Sequence, residues 1–133
     1  MEYIFFDIEC ANCFQGRGKI CSFGYVITDE KFNIISKEDI LVNPHSKFHL
    51  CGHGNHPGIT LGYDEKTFKS SPDFNHHYGK IRELLTKPGR LIFGFSVMSD
   101  AGYIKSECER FKGEIFDYSF IDVQRIFTDL KGL

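Results

Sequence analysis

Residues 3–10 read Tyr3-Ile4-Phe5-Phe6-Asp7-Ile8-Glu9-Cys10. Ile4, Phe5, Phe6 and Ile8 are the composition of a buried strand, yet two carboxylates sit near its end. Side chains alternate along a strand, so residues two apart share a face. Asp7 and Glu9 therefore point one way and Ile8 the other. Like charges brought together cost free energy unless a cation lies between them or one is protonated. Hard divalent cations take oxygen ligands from one or two carboxylates and leave the rest to water and phosphate. The same dipeptide also suits a strand that has emerged into water with both acids solvated, so its meaning depends on what the rest of the chain brings beside it.

Working outward, Met1–Cys10 reads as a first strand. Ile20–Thr28 (ICSFGYVIT) reads as a second and Phe32–Asn43 as a third, with connections short enough for an antiparallel meander. Pro44–Ser71 carries four glycines and four histidines without a sustained period, the mark of a functional loop or small subdomain. Ser71-Pro72 is a helix start, with Ser as N-cap and Pro at the first helical position. Phe74, His77, Tyr78, Ile81, Leu84 and Leu85 follow at helical spacing, and Pro88-Gly89 ends the run. Arg90–Phe95 is a buried-type strand, Asp100–Phe111 a helix, Ile115–Ile121 a fifth strand, and a last helix begins at Asp122 with Val123, Ile126, Phe127 and Leu130 on one face. The order βββ-loop-αβαβα describes an α/β domain: a mixed five-stranded sheet, three antiparallel strands and then β-α-β crossovers, flanked by helices. The Asp7 strand is expected at the centre with Arg90–Phe95 beside it.

Asp100 then becomes informative. If the two apolar strands are parallel neighbours, Asp100 arrives at the same sheet edge as Glu9, the edge where α/β folds collect ligands. An acid in a first helical turn is also favoured by the macrodipole, and both roles can hold together.

At this point the chain resembles a known family. FFDIEC is similar to the Asp-x-Glu first motif of the DEDD 3′–5′ exonucleases, the ribonuclease T and DNA polymerase proofreading-subunit group. Asn43-Pro44, Gly58-Ile59-Thr60 and Pro72-Asp73-Phe74 resemble that family's stretch after the third strand. LIFGFSVMSDAGYI stands in the place of the second motif with Asp100 as its acid, and FIDVQRIF resembles the later strand and helix start. The chain departs from the pattern where Ser96-Val97-Met98-Ser99 precedes Asp100 and where Cys10-Ala11 follows Glu9. The DEDDh branch has, as third motif, a His followed five residues later by an Asp, and no His here has an Asp at that spacing. The resemblance implies a ribonuclease H-like fold and one exonuclease-like domain over 1–133 that lacks its C-terminal helices. It implies hydrolysis of phosphodiester bonds at the 3′ end of single-stranded DNA or RNA with Mg²⁺ or Mn²⁺. In that mechanism two metals clamp the attacking and leaving oxygens. Asp7, Glu9 and Asp100 would be catalytic and metal-ligating, with Asp7 shared, and Cys10, Ala11 and Asn12 would touch substrate. Without the third motif, 1–133 is expected to be nearly inactive. The alternative is a nuclease-fold binding or scaffolding module without catalysis. Expected partners are a nucleic-acid 3′ end and either further copies or a larger polymerase or repair assembly, with no membrane.

Composition bounds these readings. The chain has 133 residues, 41% hydrophobic and 26% charged, which suits one globular domain. Its net charge of −2 argues against a binder with a broad basic footprint, so a local patch or bound metal has to offset the charge of any polyanion. No apolar run is long enough to span a bilayer, and the start MEYIFFD lacks a secretory n-region. The five cysteines, an odd number, fit reduced thiols in a cytoplasm. Cys10 and Cys13, with Cys51, His53, His56 and nearby His49, offer a zinc or redox reading at a spacing that matches no familiar site. Phe14 or Phe68 could stack bases or fill a core. Of His76 and His77, one ring should face the core and one the solvent.

Overall fold

The structure, a computed structural model, describes residues 1–13, 17–49, 63–94 and 97–123, the last stretch without the side chains of 97–100. Its elements are β1 (Glu2–Cys10), β2 (Ile20–Thr28), β3 (Ile34–Leu41), α1 (Glu65–Lys69), α2 (Phe74–Thr86), β4 (Arg90–Gly94), α3 (Val97–Arg110) and β5 (Ile121–Asp122). The sheet order is β3-β2-β1-β4-β5. β1 is central, antiparallel to β2 and parallel to β4, as its apolar composition predicts. Among the described residues no helix is long and apolar enough to cross a membrane.

One face of the sheet makes the core. Ile4, Phe6 and Ile8 of β1 meet Ile27, Tyr25 and Phe23 of β2 in register. Ile40 and Ile92 extend the row, and Phe74, Ile81, Leu84 and Leu85 of α2 with Ile104 and Cys108 of α3 close over it. Phe6 and Phe23 stack with ring centroids 5.4 Å apart. At roughly 1.5–3 kcal/mol for each fully buried large apolar side chain, this layer dominates the folding free energy. The other face of β1 carries Tyr3, Phe5, Asp7 and Glu9. There Phe5 stacks on Phe93 at 5.1 Å and Tyr3 packs against Phe32 at 5.4 Å, with Tyr3, Phe5 and Phe93 only half-buried. An apolar central strand predicts cover on both faces; α2 and α3 both pack on the Ile4–Phe6–Ile8 face.

Four boundaries differ from the sequence expectation. α2 starts at Phe74 with Asp73, not Ser71, as its cap, because the Asp73 carboxylate accepts from the His76 amide at 3.1 Å while the Ser71 hydroxyl donates to the Thr67 carbonyl. α1 lies inside the stretch that shows no period, since five residues are too few to display one; Asp64 caps it, accepting from the Thr67 amide at 2.9 Å. α3 begins at Val97, three residues before Asp100. The fifth strand shrinks to Ile121–Asp122, paired with Phe93 and Gly94. Residues before it are drawn instead onto α2, where the Tyr78 hydroxyl donates to the Glu114 carbonyl at 2.5 Å and Arg82 pairs with the Glu114 carboxylate at 3.1 Å. Of the expected last helix, Val123 is helical and the rest lies outside the described residues.

The turn after β1 is pressed against α3 at Gly18. A Cβ there would stand 2.7 Å from Cε1 of the Tyr103 ring, closer than packed atoms tolerate. Gly18→Ala is therefore expected to destabilise the fold by about 1–3 kcal/mol through overpacking, read as a lowered thermal midpoint. In a Tyr103→Ala background the same substitution should cost much less, because the ring that it meets is gone.

Candidate active site

β1 delivers Asp7 and Glu9 to one face near its C-terminal end, and its neighbours complete an acidic row. Asp7 lies opposite Gly24 of β2, and Gly24 lies opposite Asp39 of β3. Glu9 lies opposite Ser22, whose hydroxyl donates to Oδ1 of Asp39 at 2.7 Å. Asp7, Glu9, Ser22, Gly24, Asp39 and Tyr63 line a cleft of about 220 Å³. The small residues at 22 and 24 leave room between the acids that larger side chains would fill.

The electrostatics follow from the crowding. Desolvation against the sheet pushes the Asp7 carboxyl above its ordinary value. Glu9 is pushed up by desolvation, then by the charges of Asp7 and Asp39. The Asp7–Glu9 pair, oxygen ligands held against their own repulsion, has the chemistry that suits a hard divalent cation. The coupling makes a testable statement: in Asp7→Asn the Glu9 midpoint should fall toward the ordinary carboxylate range, as read by carboxyl-carbon NMR titration. An unchanged midpoint would mean that the two side chains do not share a face.

The other sequence-selected residues fall as follows. Asp100 is in the first turn of α3, six residues past Gly94, where β4 runs parallel to β1 and ends in register with Phe6; its side chain lies outside the description. Cys10 is half-buried, packed against the core. Ala11 and Asn12 are buried, and the Asn12 amide donates to the Ser46 hydroxyl and the Lys47 carbonyl, both at 2.6 Å. This pins the segment after Glu9 to the 46–49 loop, whose His49 amide donates to the Ala11 carbonyl at 2.8 Å. Phe68 is wholly buried beside Ala11 and Cys21, a core position rather than a stacking platform. Phe14, Cys51, His53 and His56 lie outside the described residues. Among the described residues no three His, Cys, Asp or Glu side chains gather as a metal-holding group. Burial pushes the Cys10 thiol far up and that of Cys21 up to about 12, so with no metal bound both stay protonated at neutral pH. His76 is exposed and His77 half-buried, as expected.

Asp39 escaped sequence reasoning. It lies in the exposed edge strand among Lys37 and Glu38, where a charge reads as ordinary edge protection. Only the Asp7–Gly24–Asp39 register gives it significance.

No protein-family model matches the sequence, and no curated protein does. Solved structures do match. E. coli exonuclease I in complex with a dT13 oligonucleotide superposes with a TM-score of 0.73 at 19% identity, covering 99% of this chain and 30% of that one. A product-bound structure of exonuclease I gives 0.75 at 16%, covering 99% and 32%. An ExoI/SSB-Ct complex gives 0.75 at 16%, covering 99% and 30%. The chain thus spans about a third of the length of these proteins. At such identities the likeness establishes the fold, a ribonuclease H-like mixed five-stranded sheet flanked by helices.

Proposed function

We propose that this chain is the core of a metal-dependent 3′–5′ exonuclease acting on single-stranded nucleic acid. The observation that carries the reading is the pair Asp7 and Glu9 on one face at the C-terminal end of the central strand, each held above its ordinary pKa and neither ion-paired among the described residues, in a fold shared with exonuclease I. The oligonucleotide bound to that protein supports single-stranded DNA as the substrate class. Asp7, Glu9 and Asp100 would hold Mg²⁺ or Mn²⁺. When bound, such ions stabilise charge on the attacking and leaving oxygens of a phosphodiester. The chain's own residues hold the site in place. Ser22 fixes Asp39 at the far wall, and the buried Ala11–Asn12 segment anchors the end of β1. The 133 residues contain no His with an Asp five positions later, so the proton-accepting His that the resemblance implies, worth about 10²–10⁴ in rate, has no counterpart at that spacing within them. Residues 1–133 should therefore turn over slowly.

The test is single-turnover incubation of excess protein with 3′-labelled and 5′-labelled single-stranded oligonucleotides in Mn²⁺. Early release of label as a mononucleotide from the 3′-labelled strand alone, with stepwise shortening of the other, supports the reading. Binding without any shortening would favour the second reading, a nuclease-fold module that binds and does not cut, which the missing His-Asp spacing motivates.

A further inference from the structure

The turn that follows β1 builds a second feature, of opposite charge. The Ala11 amide donates to the Lys19 carbonyl at 2.8 Å and the Lys19 amide to the Asn12 carbonyl at 3.0 Å, so Lys19 stands two residues beyond Glu9 across the turn. Gly18 lies beneath the Tyr103 ring, which presses this return leg onto α3. There Arg17, Lys19, Ser106, Glu109 and Arg110 line a cleft of about 170 Å³. Its cations differ in employment. Arg110 is fixed: its guanidinium donates to the buried Glu107 carboxylate at 3.3 Å and to the His45 carbonyl at 2.9 Å. Arg17 is exposed and Lys19 half-buried; neither makes an ion pair among the described residues, although the Lys19 charge reaches the Glu107 carboxylate and helps offset its burial. Glu109 is the one acid on the lining, against three cations.

Cations gathered in a cleft matter in a chain whose net charge is −2. A general affinity for polyanions has no source in the overall charge, so anion binding has to be local. Ser106 lies six residues along α3 from Asp100, about 9 Å at the helical rise. The cleft thus lies on the helix that carries Asp100, displaced along it by a distance that a chain of linked phosphates would span. An arginine fork, a lysine point charge and a hydroxyl donor together suit a phosphodiester oxygen pair.

We propose that the cleft between residues 17–19 and α3 grips the sugar–phosphate backbone of a single strand upstream of its 3′ end, through Arg17, Lys19, Ser106 and Arg110. This rests on the nuclease reading, but it is tested by binding and not by cleavage. The probe is a 5′-fluorescein-labelled dT oligomer, followed by anisotropy without divalent metal across a salt series. In the double variant R17Q/K19Q affinity should fall about ten-fold near 0.1 M salt, and the slope of log K against log salt should shrink by about 1.4, the share of two phosphate contacts on a single strand. R17Q alone, at an exposed position that the fold does not need, should give about half the slope change. Wild-type affinity and slope in both variants would overturn the proposal even if 3′ cleavage is observed. A groove-dependent slope with no cleavage in Mn²⁺ would support it and count against the exonuclease reading. Binding to vesicles of acidic phospholipid but not to the oligomer would also overturn it, in favour of a membrane-surface role for the cleft.

Discussion

Asp7→Asn is expected to abolish Mn²⁺-dependent shortening of a single-stranded oligonucleotide while leaving the protein more stable without metal. The two effects have one cause. In the folded chain desolvation holds the Asp7 carboxyl above its ordinary pKa, so the native state binds its proton more tightly than the unfolded state does. Stability is then greatest below the ordinary carboxylate range and falls as pH rises through the raised native value. At neutral pH the ionised side chain is a net cost. Asparagine removes that cost and Glu9's closest like charge with it. The gain should be less than about 1 kcal/mol, because Asp7 is solvent-exposed and water screens the charge. The loss should be at least about 10²-fold in single-turnover rate, the scale seen when one group stabilising a transition-state charge is removed. Thermal melts at pH 3 and pH 8 check the first part: wild type and variant should converge at the lower pH, below the ordinary carboxylate value. A variant that melts lower than wild type at pH 8 would show that Asp7 is a structural acid.

Glu107→Ala is expected to be the most destabilising single change on α3, by about 3 kcal/mol or more. Glu107 is 1% exposed. Its Oε1 accepts from the Ile20 amide at 3.3 Å and from Arg110 at 3.3 Å, tying the start of β2 to the helix that carries Asp100. Truncation leaves a buried amide without its acceptor and a partly buried guanidinium without its counter-charge, the situation in which broken buried pairs cost about 3–5 kcal/mol. Glu107→Gln keeps an oxygen for the Ile20 amide and should cost much less. Its pH dependence separates it further from wild type. Burial raises the Glu107 pKa, partly offset by Arg110, so wild-type stability declines as pH rises from the ordinary carboxylate range through the raised value, a decline that Gln abolishes. Denaturant midpoints of the three proteins at pH 4.5 and pH 8 measure this. Equal midpoints for Ala and Gln at both values would show that the carboxylate holds nothing.

The sequence was most readable where pattern and chemistry disagreed. Apolar Ile4, Phe6 and Ile8 interleaved with Asp7 and Glu9 placed β1 at the centre and its acids on the other face, and the structure has both. The parallel partner β4 was legible for the same reason, as a short apolar run bounded by Pro88-Gly89. Element ends were harder to read. Ser71 and Asp73 are both good caps, and only geometry shows that the Asp73 carboxylate reaches the helix amides. The aromatic alternation of residues 115–121 imitates a strand, but Glu114 is held by Tyr78 and Arg82 before the segment reaches β4. Asp39, Glu107 and the cations at Arg17 and Lys19 were invisible for a common reason: their meaning lies in cross-strand register or in contacts 87 residues apart in sequence, which no local spacing encodes.

The proposed function requires the Asp7–Glu9 edge of the sheet to hold a divalent cation. The most direct measurement is paramagnetic broadening of backbone amide signals on titration with Mn²⁺. Signals from Asp7, Ile8, Glu9, Ser22 and Gly24 should broaden first, Tyr78 and Ile81 on α2 across the sheet should be spared, and Asp7→Asn should remove the effect. Broadening that leaves the end of β1 sharp, or that persists unchanged in Asp7→Asn, would contradict the proposed function.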